Sequence, residues 1–385
     1  MRRDLNPRAL VRALRGSRQR RQFDRFLDAE LPVARAADYS PNALPVRLAA
    51  RASGRSGWAG RTPRVVVFGT REWEQYGLWP AFDTLSELDY WEYRVPFTHP
   101  QRVDDAYREA LGARFLAHVR DLQLRQPVDV AFFYASAEHI DLRLIDQLHS
   151  LGVWTVVMGL DDKHQFLPAQ TGATAPQLAL ATTCDLYITT WQSGAAIIWA
   201  RGGRPWCSAE AADPEFHRPV VSRRDLDAVF IGQAYGRRAQ LVHYLKAHGL
   251  EVAAFGSGWP NGFVTFEEQI ALYGRARVVL GYGGVRLMRD VQHLKGRDFE
   301  VPMCRAIYLT SYNPELTRHF EVGHEILCYS SFQECRELLE WVIAHPAAAD
   351  EIRAAAHARA LRDHTWEARV RVLFGLLAPG SGAAA

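Results

Sequence analysis

Short runs of β-branched and aromatic residues alternate along this chain with longer stretches of helical apolar spacing, and the alternation starts over once, near residue 214. A strand that is apolar throughout must be covered on both faces, so strands alternating with helices dictate a parallel sheet between helical layers. The first series opens with a strand at 64–68 that ends in Gly69. It continues with a helix at 103–124, a strand at 128–134, a helix at 142–151, strands at 153–158 and 185–190, and a helix at 195–201. After Asp213-Pro214 and a polar stretch to Asp225, a strand at 228–231 leads through Gly232 to a helix at 237–248, and a strand at 251–255 enters the loop 256–262. Thr265 and Glu268 have capping-box spacing for the next helix, which reaches Tyr273. A strand at 277–281, a helix around 299–304, a strand at 307–310, a helix capped by Ser331 and Glu334, and two Ala/Arg/Leu-rich helices finish the series.

Two such units predict an α/β fold with two Rossmann-like domains, and 385 residues exceed what one hydrophobic core serves. The expected divisions are 1–60, a basic helical extension whose residues 50–62 read as a linker; 61–222, the first domain; 223–375, the second with its closing helices; and 376–385, a flexible tail. Residues 1–64 hold 15 arginines against five acidic residues, so the basic character of a chain with net charge +3 belongs to that segment. Apolar residues from Leu5 to Leu31 recur at helical spacing among those arginines. That pattern fits a helix packed on the body, or a peripheral membrane or protein contact through residues 1–35. Five cysteines without a C-x-x-C pair do not describe a disulfide framework, and no apolar run is long enough for a membrane span, so a cytoplasmic protein is expected. The 43 arginines against three lysines reflect codon preference rather than nucleic-acid binding, and no nucleic-acid partner is expected.

In open parallel sheets, ligands bind beyond the carboxyl ends of the strands. Four loops of the second series lie there. In Gly232 to Arg238, Gly232 allows close backbone approach, Tyr235 and Gly236 precede Arg237 and Arg238, and arginines at a helix start can clamp phosphate oxygens. The loop with Gly256, Gly258 and Trp259 reads equally as a ligand loop or a plain wide turn. A third, Gly281 to Gly284, leads to Arg286 and Arg289. In the fourth, Lys295 to Pro302, the proline is tolerated only in a first helical turn, which predicts a helix starting close to Glu300 beside Lys295 and Arg297. A carboxylate there can accept from two ribose hydroxyls while the cations neutralise a diphosphate; a surface ion-pair cluster with a helix cap fits the same residues.

The run Leu294 to Pro302, with Pro314-Glu315-Leu316, Phe320 to Gly323, Glu325, Ala344-His345-Pro346 and His364-Thr365-Trp366, resembles glycosyltransferases of the GT-B fold, specifically the branch related to spore maturation protein CgeB. Phe230 to Gly232, Tyr235 to Arg237 and the Gly256-x-Gly258-Trp259 loop are similar as well, and Gly159 to Asp162 with Phe166 looks like that family's aspartate-containing loop. The resemblance runs from about Asp129 to Val372. It implies a nucleotide-sugar donor, UDP- or GDP-linked, bound by the second domain, and a glycan, glycoconjugate or protein acceptor approached from the first through Asp161 and Asp162. Glu300 matches the acid that retaining relatives place on the donor ribose; where relatives often carry a second glutamate eight positions earlier, this sequence has Gln292. By the same analogy Arg237 or Arg238 and Lys295 stabilise the departing diphosphate, Arg297 and the glycine loops hold the donor, and no metal is obligatory.

Asp225-Leu226-Asp227 has the letters of a metal motif but precedes its strand, and Asp161-Asp162 lacks the spacer. Gly256-x-Gly258 runs into Trp259-Pro260 rather than a dinucleotide-binding helix, and no G-x-S-x-G elbow occurs. Two alternatives stay open: a nucleotide-sugar epimerase on the same scaffold, and a noncatalytic sugar-nucleotide or glycan binder.

Overall fold

The computed structural model of the chain describes residues 7–55, 57–94, 104–167, 176–220, 223–285, 288 and 290–378. Arg286, Arg289 and the tail from 379 lie outside them. Two compact units form, one of Phe23–Ala209 with the chain from Glu367, the other of Glu210–Trp366 with the start of the first helix.

The first unit carries α1 (Pro7–Ala36, shared with the second unit), α2 (Leu44–Ala49), β1 (Arg64–Gly69), α3 (Leu78–Leu85), β2 (Glu87–Glu92), α4 (Asp105–Gln123), β3 (Val130–Phe133), α5 (Leu142–Ser150), β4 (Trp154–Gly159), α6 (Asp162–Gln165), α7 (Pro176–Thr183), β5 (Leu186–Thr189), α8 (Gln192–Ala200) and β6 (Pro205–Cys207). The six strands are all parallel, in the order β2-β1-β3-β4-β5-β6. Val65 to Phe68 are fully buried between two aromatic layers: Phe68 packs on Tyr93 and Phe115 at 5.1 Å, and Phe82 packs on Phe132 at 4.7 Å. Truncating such a phenylalanine to alanine costs about 3–5 kcal/mol.

The stretch expected as a linker is a strap. Arg61 makes a bidentate pair with Asp129 at 2.7 and 2.6 Å, and Arg51 and Arg55 reach Asp185 at 3.2 and 3.1 Å. Both aspartates are fully buried and stand immediately before β3 and β5, at the amino edge of the sheet. Burial alone raises the Asp185 carboxyl, but His149 at 3.1 Å, the Thr155 N–H and Arg55 hold it well below the usual carboxylate range. Arg47 lies on the Trp199 ring and donates to Trp199 O and Gly203 O. Three arginines of the N-terminal segment, Arg51, Arg55 and Arg61, are therefore matched by buried acids inside the unit. Phe23, Phe26 and Ala34 of α1 are buried as well.

The second unit carries β7 (Leu226–Ile231), α9 (Arg238–Ala247), β8 (Val252–Phe255), α10 (Phe266–Arg275), β9 (Ala276–Leu280), α11 (Arg297–Met303), β10 (Tyr308–Ser311), β11 (Leu327–Tyr329), α12 (Phe332–Ala344) and α13 (Pro346–Asp363). Its five strands are parallel in the order β11-β10-β9-β7-β8. The Thr265 capping box forms as expected. The last helix, α14 (Trp366–Leu377), belongs from Glu367 on to the first unit, where Phe374 packs on Trp58 and Phe82 at 6.0 Å.

Candidate functional site

In the second sheet the chain leaves β7 for β8 on one side and returns to β9 on the other, so the crevice beyond the carboxyl ends of β7 and β9 is its topological switch point. Two loops line it and fix each other. Gly232 N–H donates to Phe255 O at 2.8 Å, Ala234 N–H to Ser257 O at 2.9 Å, and the Trp259 indole N–H to Gly232 O at 2.6 Å. Gly256 has φ +116, and a Cβ there would stand 2.7 Å from Gly232 O, so only glycine allows this approach. Trp259 packs its ring on Phe230 at 5.8 Å and closes the loop that contains Gly258. The 256–262 loop is therefore a closed wide turn held against the Gly232 backbone.

Two arginines occupy the crevice. Arg238, 3% exposed, spans the switch point by donating to Gln233 O at 3.2 Å and Tyr282 O at 3.0 Å, with its guanidinium 4.0 Å above the Tyr235 ring. Burial pushes its pKa down to about 10, and the neighbouring Arg297 pushes the same way. The Arg297 guanidinium lies 3.3 Å from where a Cβ on Gly232 would stand. Burial opposes its charge, but Tyr308, Tyr273, Glu300 and Asp298 together hold its pKa above the ordinary value. Neither arginine is ion-paired with a described carboxylate, and both Nε atoms are buried without a partner. Two neighbouring guanidinium groups repel each other, and an anion held between them would offset that cost. Arg237 is placed differently: its guanidinium stacks 4.5 Å over Phe332, at the start of α12.

The helix carrying Arg297 and Glu300 starts earlier than its proline predicts. α11 begins at Arg297, and Pro302 sits in its last turn. The cause is Asp298, whose carboxylate accepts the Lys295 N–H at 2.8 Å while its own N–H donates to Lys295 O at 2.8 Å, nucleating the turn ahead of the proline. Burial pushes the Asp298 pKa up to about 6, against the Lys295 N–H and the Tyr308 hydroxyl. Glu300, one turn on, folds its carboxylate back over Gly296: Oε1 lies 2.7 Å from the point a Cβ would occupy. Oε1 of Glu210 lies 3.8 Å from that same point. Sequence reasoning missed Glu210, which carries no motif and is brought here by pairing of its segment with the end of α13. Ala212 N–H donates to His364 O at 3.0 Å and Trp366 N–H to Ala212 O at 3.1 Å. Gln292 accepts from the Ser311 hydroxyl at 2.8 Å, and that hydroxyl accepts from Gly283 N–H at 3.0 Å, so the amide fixes the loop after β9.

In the first unit, Asp161 lines an open cleft beyond β3 and β4, with Tyr134, Ser136, Leu160 and Gln165, enclosing about 440 Å³ including its mouth. Asp162, expected beside it, turns inward. Its carboxylate accepts from the Tyr187 hydroxyl at 2.6 Å and the Thr189 hydroxyl at 2.5 Å, and burial pushes its pKa up to about 7. With both oxygens committed and 1% exposure, it holds the sheet together rather than meeting an acceptor.

Residues 237–375 match the family model described as glycosyl transferase-like. No curated protein matches the chain by sequence. Among solved structures, the chain resembles HepE of Anabaena in complex with UDP (11% identity, 81% of this chain and 99% of that one, TM-score 0.57). HepE has also been solved with UDP-glucose. Sucrose-phosphate synthase of Thermosynechococcus elongatus is similar over 82% of this chain and 99% of its own at 12% identity and a TM-score of 0.59. AviGT4, a glycosyltransferase of avilamycin A biosynthesis, is similar over 82% and 98% at 14% identity and 0.54. The fold is α/β with two Rossmann-like units, the GT-B arrangement.

Proposed function

We propose that this protein is a glycosyltransferase of the CgeB-like branch, which moves a sugar from a UDP- or GDP-linked donor to a glycan, glycoconjugate or protein hydroxyl, with retention at the anomeric carbon and without an obligatory metal. The observation that carries the reading is the pair Arg238 and Arg297, held at the switch point beside Gly232 with neither in an ion pair with a described carboxylate and with both Nε atoms unpartnered. A diphosphate supplies the missing negative charge, and the Gly232 backbone is bare enough for it to come close. Glu300 accepts from the ribose hydroxyls, and Lys295 contributes further positive charge at the same loop. The bond from the anomeric carbon to the diphosphate oxygen breaks, and its electron pair leaves on the diphosphate, where the fixed cations stabilise it. The acceptor oxygen bonds to the same face of that carbon, and its proton passes to the departing phosphate oxygen. Asp161 and the cleft beyond β3 and β4 serve the acceptor side.

This assignment moves the phosphate role from Arg237, which is occupied with Phe332, to Arg238 and Arg297. Incubation with UDP- and GDP-sugars, with and without glycan and protein acceptors, tests it. Acceptor-dependent release of nucleotide supports transfer; isomerised sugar without acceptor, or loss of activity to chelator with rescue only by a divalent ion, contradicts it.

A further inference from the structure

The first unit has a switch point of its own. Its chain leaves β1 for β2 on one side and returns to β3 on the other, which opens a crevice beyond the carboxyl ends of β1 and β3. The segments that follow those two strands meet there. Trp73, in the short 3-10 turn Trp73–Tyr76 after β1, donates its indole N–H at 3.1 Å to the hydroxyl of Tyr134, the residue directly after β3. Trp79 stands edge-on to the Tyr134 ring at 5.7 Å and ties its own N–H to Thr70 O at 3.0 Å, so the residue that anchors Trp73 is itself held. Trp73 is nevertheless 57% exposed. With its one donor spent, it presents an apolar ring face at the surface. The adjoining cleft differs in character: Tyr134 lines it together with Ser136, Asp161 and Gln165, groups that bond hydroxyls. A fixed aromatic face beside a polar cleft matches a pyranose ring, whose C–H groups lie on its faces and whose hydroxyls radiate from its rim. The hydroxyl of a serine or threonine brings no such ring.

We propose that Trp73 is a specificity-determining residue that stacks on a sugar ring of the acceptor, which makes that acceptor a glycan rather than a protein side chain. The inference rests on the glycosyl-transfer reading. Steady-state transfer by the full chain from UDP-glucose and GDP-mannose tests it, with methyl glucoside, methyl galactoside, maltose and cellobiose as saccharide acceptors and a Ser/Thr-rich peptide as the protein one. Titration with UDP reports on the donor site separately. The wild type transfers to a saccharide. Trp73→Ala raises the KM for that saccharide about tenfold, with kcat and UDP affinity near wild type, because the lost contact belongs to acceptor binding alone. Trp73→Phe, which keeps a ring but no N–H, recovers most of the loss. Trp73→Leu, apolar without a π face, behaves like the alanine variant and stands in if that one does not fold.

Transfer to the peptide alone, an unchanged saccharide KM in a folded Trp73→Ala or Trp73→Leu, or an equal loss of UDP affinity overturns the role of Trp73 while the transfer reading stands. A wild type that releases no nucleotide with any acceptor overturns both.

Discussion

Replacing Gly296 with alanine inserts a methyl group 2.7 Å from Glu300 Oε1 and 3.4 Å from its Cδ. The closer contact falls roughly 0.5–1 Å short of ordinary van der Waals separation, so the carboxylate must leave its place. The backbone does not resist the change, since Gly296 has φ −48 and ψ −40, where alanine is unstrained. Its lower entropy in the unfolded chain contributes about 0.4–1 kcal/mol of stability. The clash is with the end of a flexible side chain and costs little to relieve by rotation. Stability is therefore expected to stay within about 1 kcal/mol of wild type, while donor affinity loses a hydrogen bond to a charged group worth about 1.5–3 kcal/mol, or roughly 10- to 150-fold. Thermal melts by circular dichroism and titration with UDP-glucose measure the two effects on one sample. Wild-type affinity in a folded variant would refute the placement of Glu300 on the donor, and a large loss of stability would refute the claim that only the side-chain tip is displaced.

The two crevice arginines should separate in the same pair of assays. Arg297→Ala weakens UDP binding about 10- to 100-fold and lowers the melting temperature only modestly, because it loses attraction to Tyr308, Tyr273, Glu300 and Asp298, whereas Arg238→Ala destabilises by about 1–3 kcal/mol through its lost bonds to Gln233 O and Tyr282 O. Asp185→Asn leaves Arg51, Arg55 and His149 facing a neutral group and is expected to cost about 3–5 kcal/mol in denaturant unfolding at neutral pH. Because the folded pKa of Asp185 lies below its unfolded value, its contribution is complete above about pH 4 and is lost as pH falls through the folded value; the variant should show a shallower acid transition. Asp162 behaves oppositely: the folded chain holds its proton up to about pH 7, so its ionisation in the unfolded state erodes stability as pH rises from about 4 toward 7. Melts of Asp162→Asn across that range should lack this slope.

The central strands were legible because Val65 to Phe68, Val130 to Phe133 and Val278 to Leu280 are apolar on both faces, which only a covered parallel sheet tolerates. The edge strands were not. β2 reads Glu-Leu-Asp-Tyr-Trp-Glu and is only half buried, while β6 and β11 have three residues each and exist because a neighbour offers its backbone. The strap was misread as a linker because Gly, Ser and Arg signal a loop, and nothing local announces that Asp129 and Asp185 wait for those arginines. At the site, Gly232, Arg238, Arg297 and Glu300 stood out because glycines and charges after a strand are readable. Which member of a pair lines the crevice or the cleft was not: Arg237 against Arg238 turns on a ring at Phe332, and Asp161 against Asp162 turns on hydroxyls at Tyr187 and Thr189.

The final helix carries a practical consequence. Since α14 comes last in the chain yet seals Trp58 and Phe82 of the unit that begins at Phe23, a single cut in the gene after Ala209 separates that unit from its own last helix. Severed after Ala209, the leading fragment bares an aromatic seam that a trailing piece must fill, so split versions of this chain should regain solubility only when both are produced together.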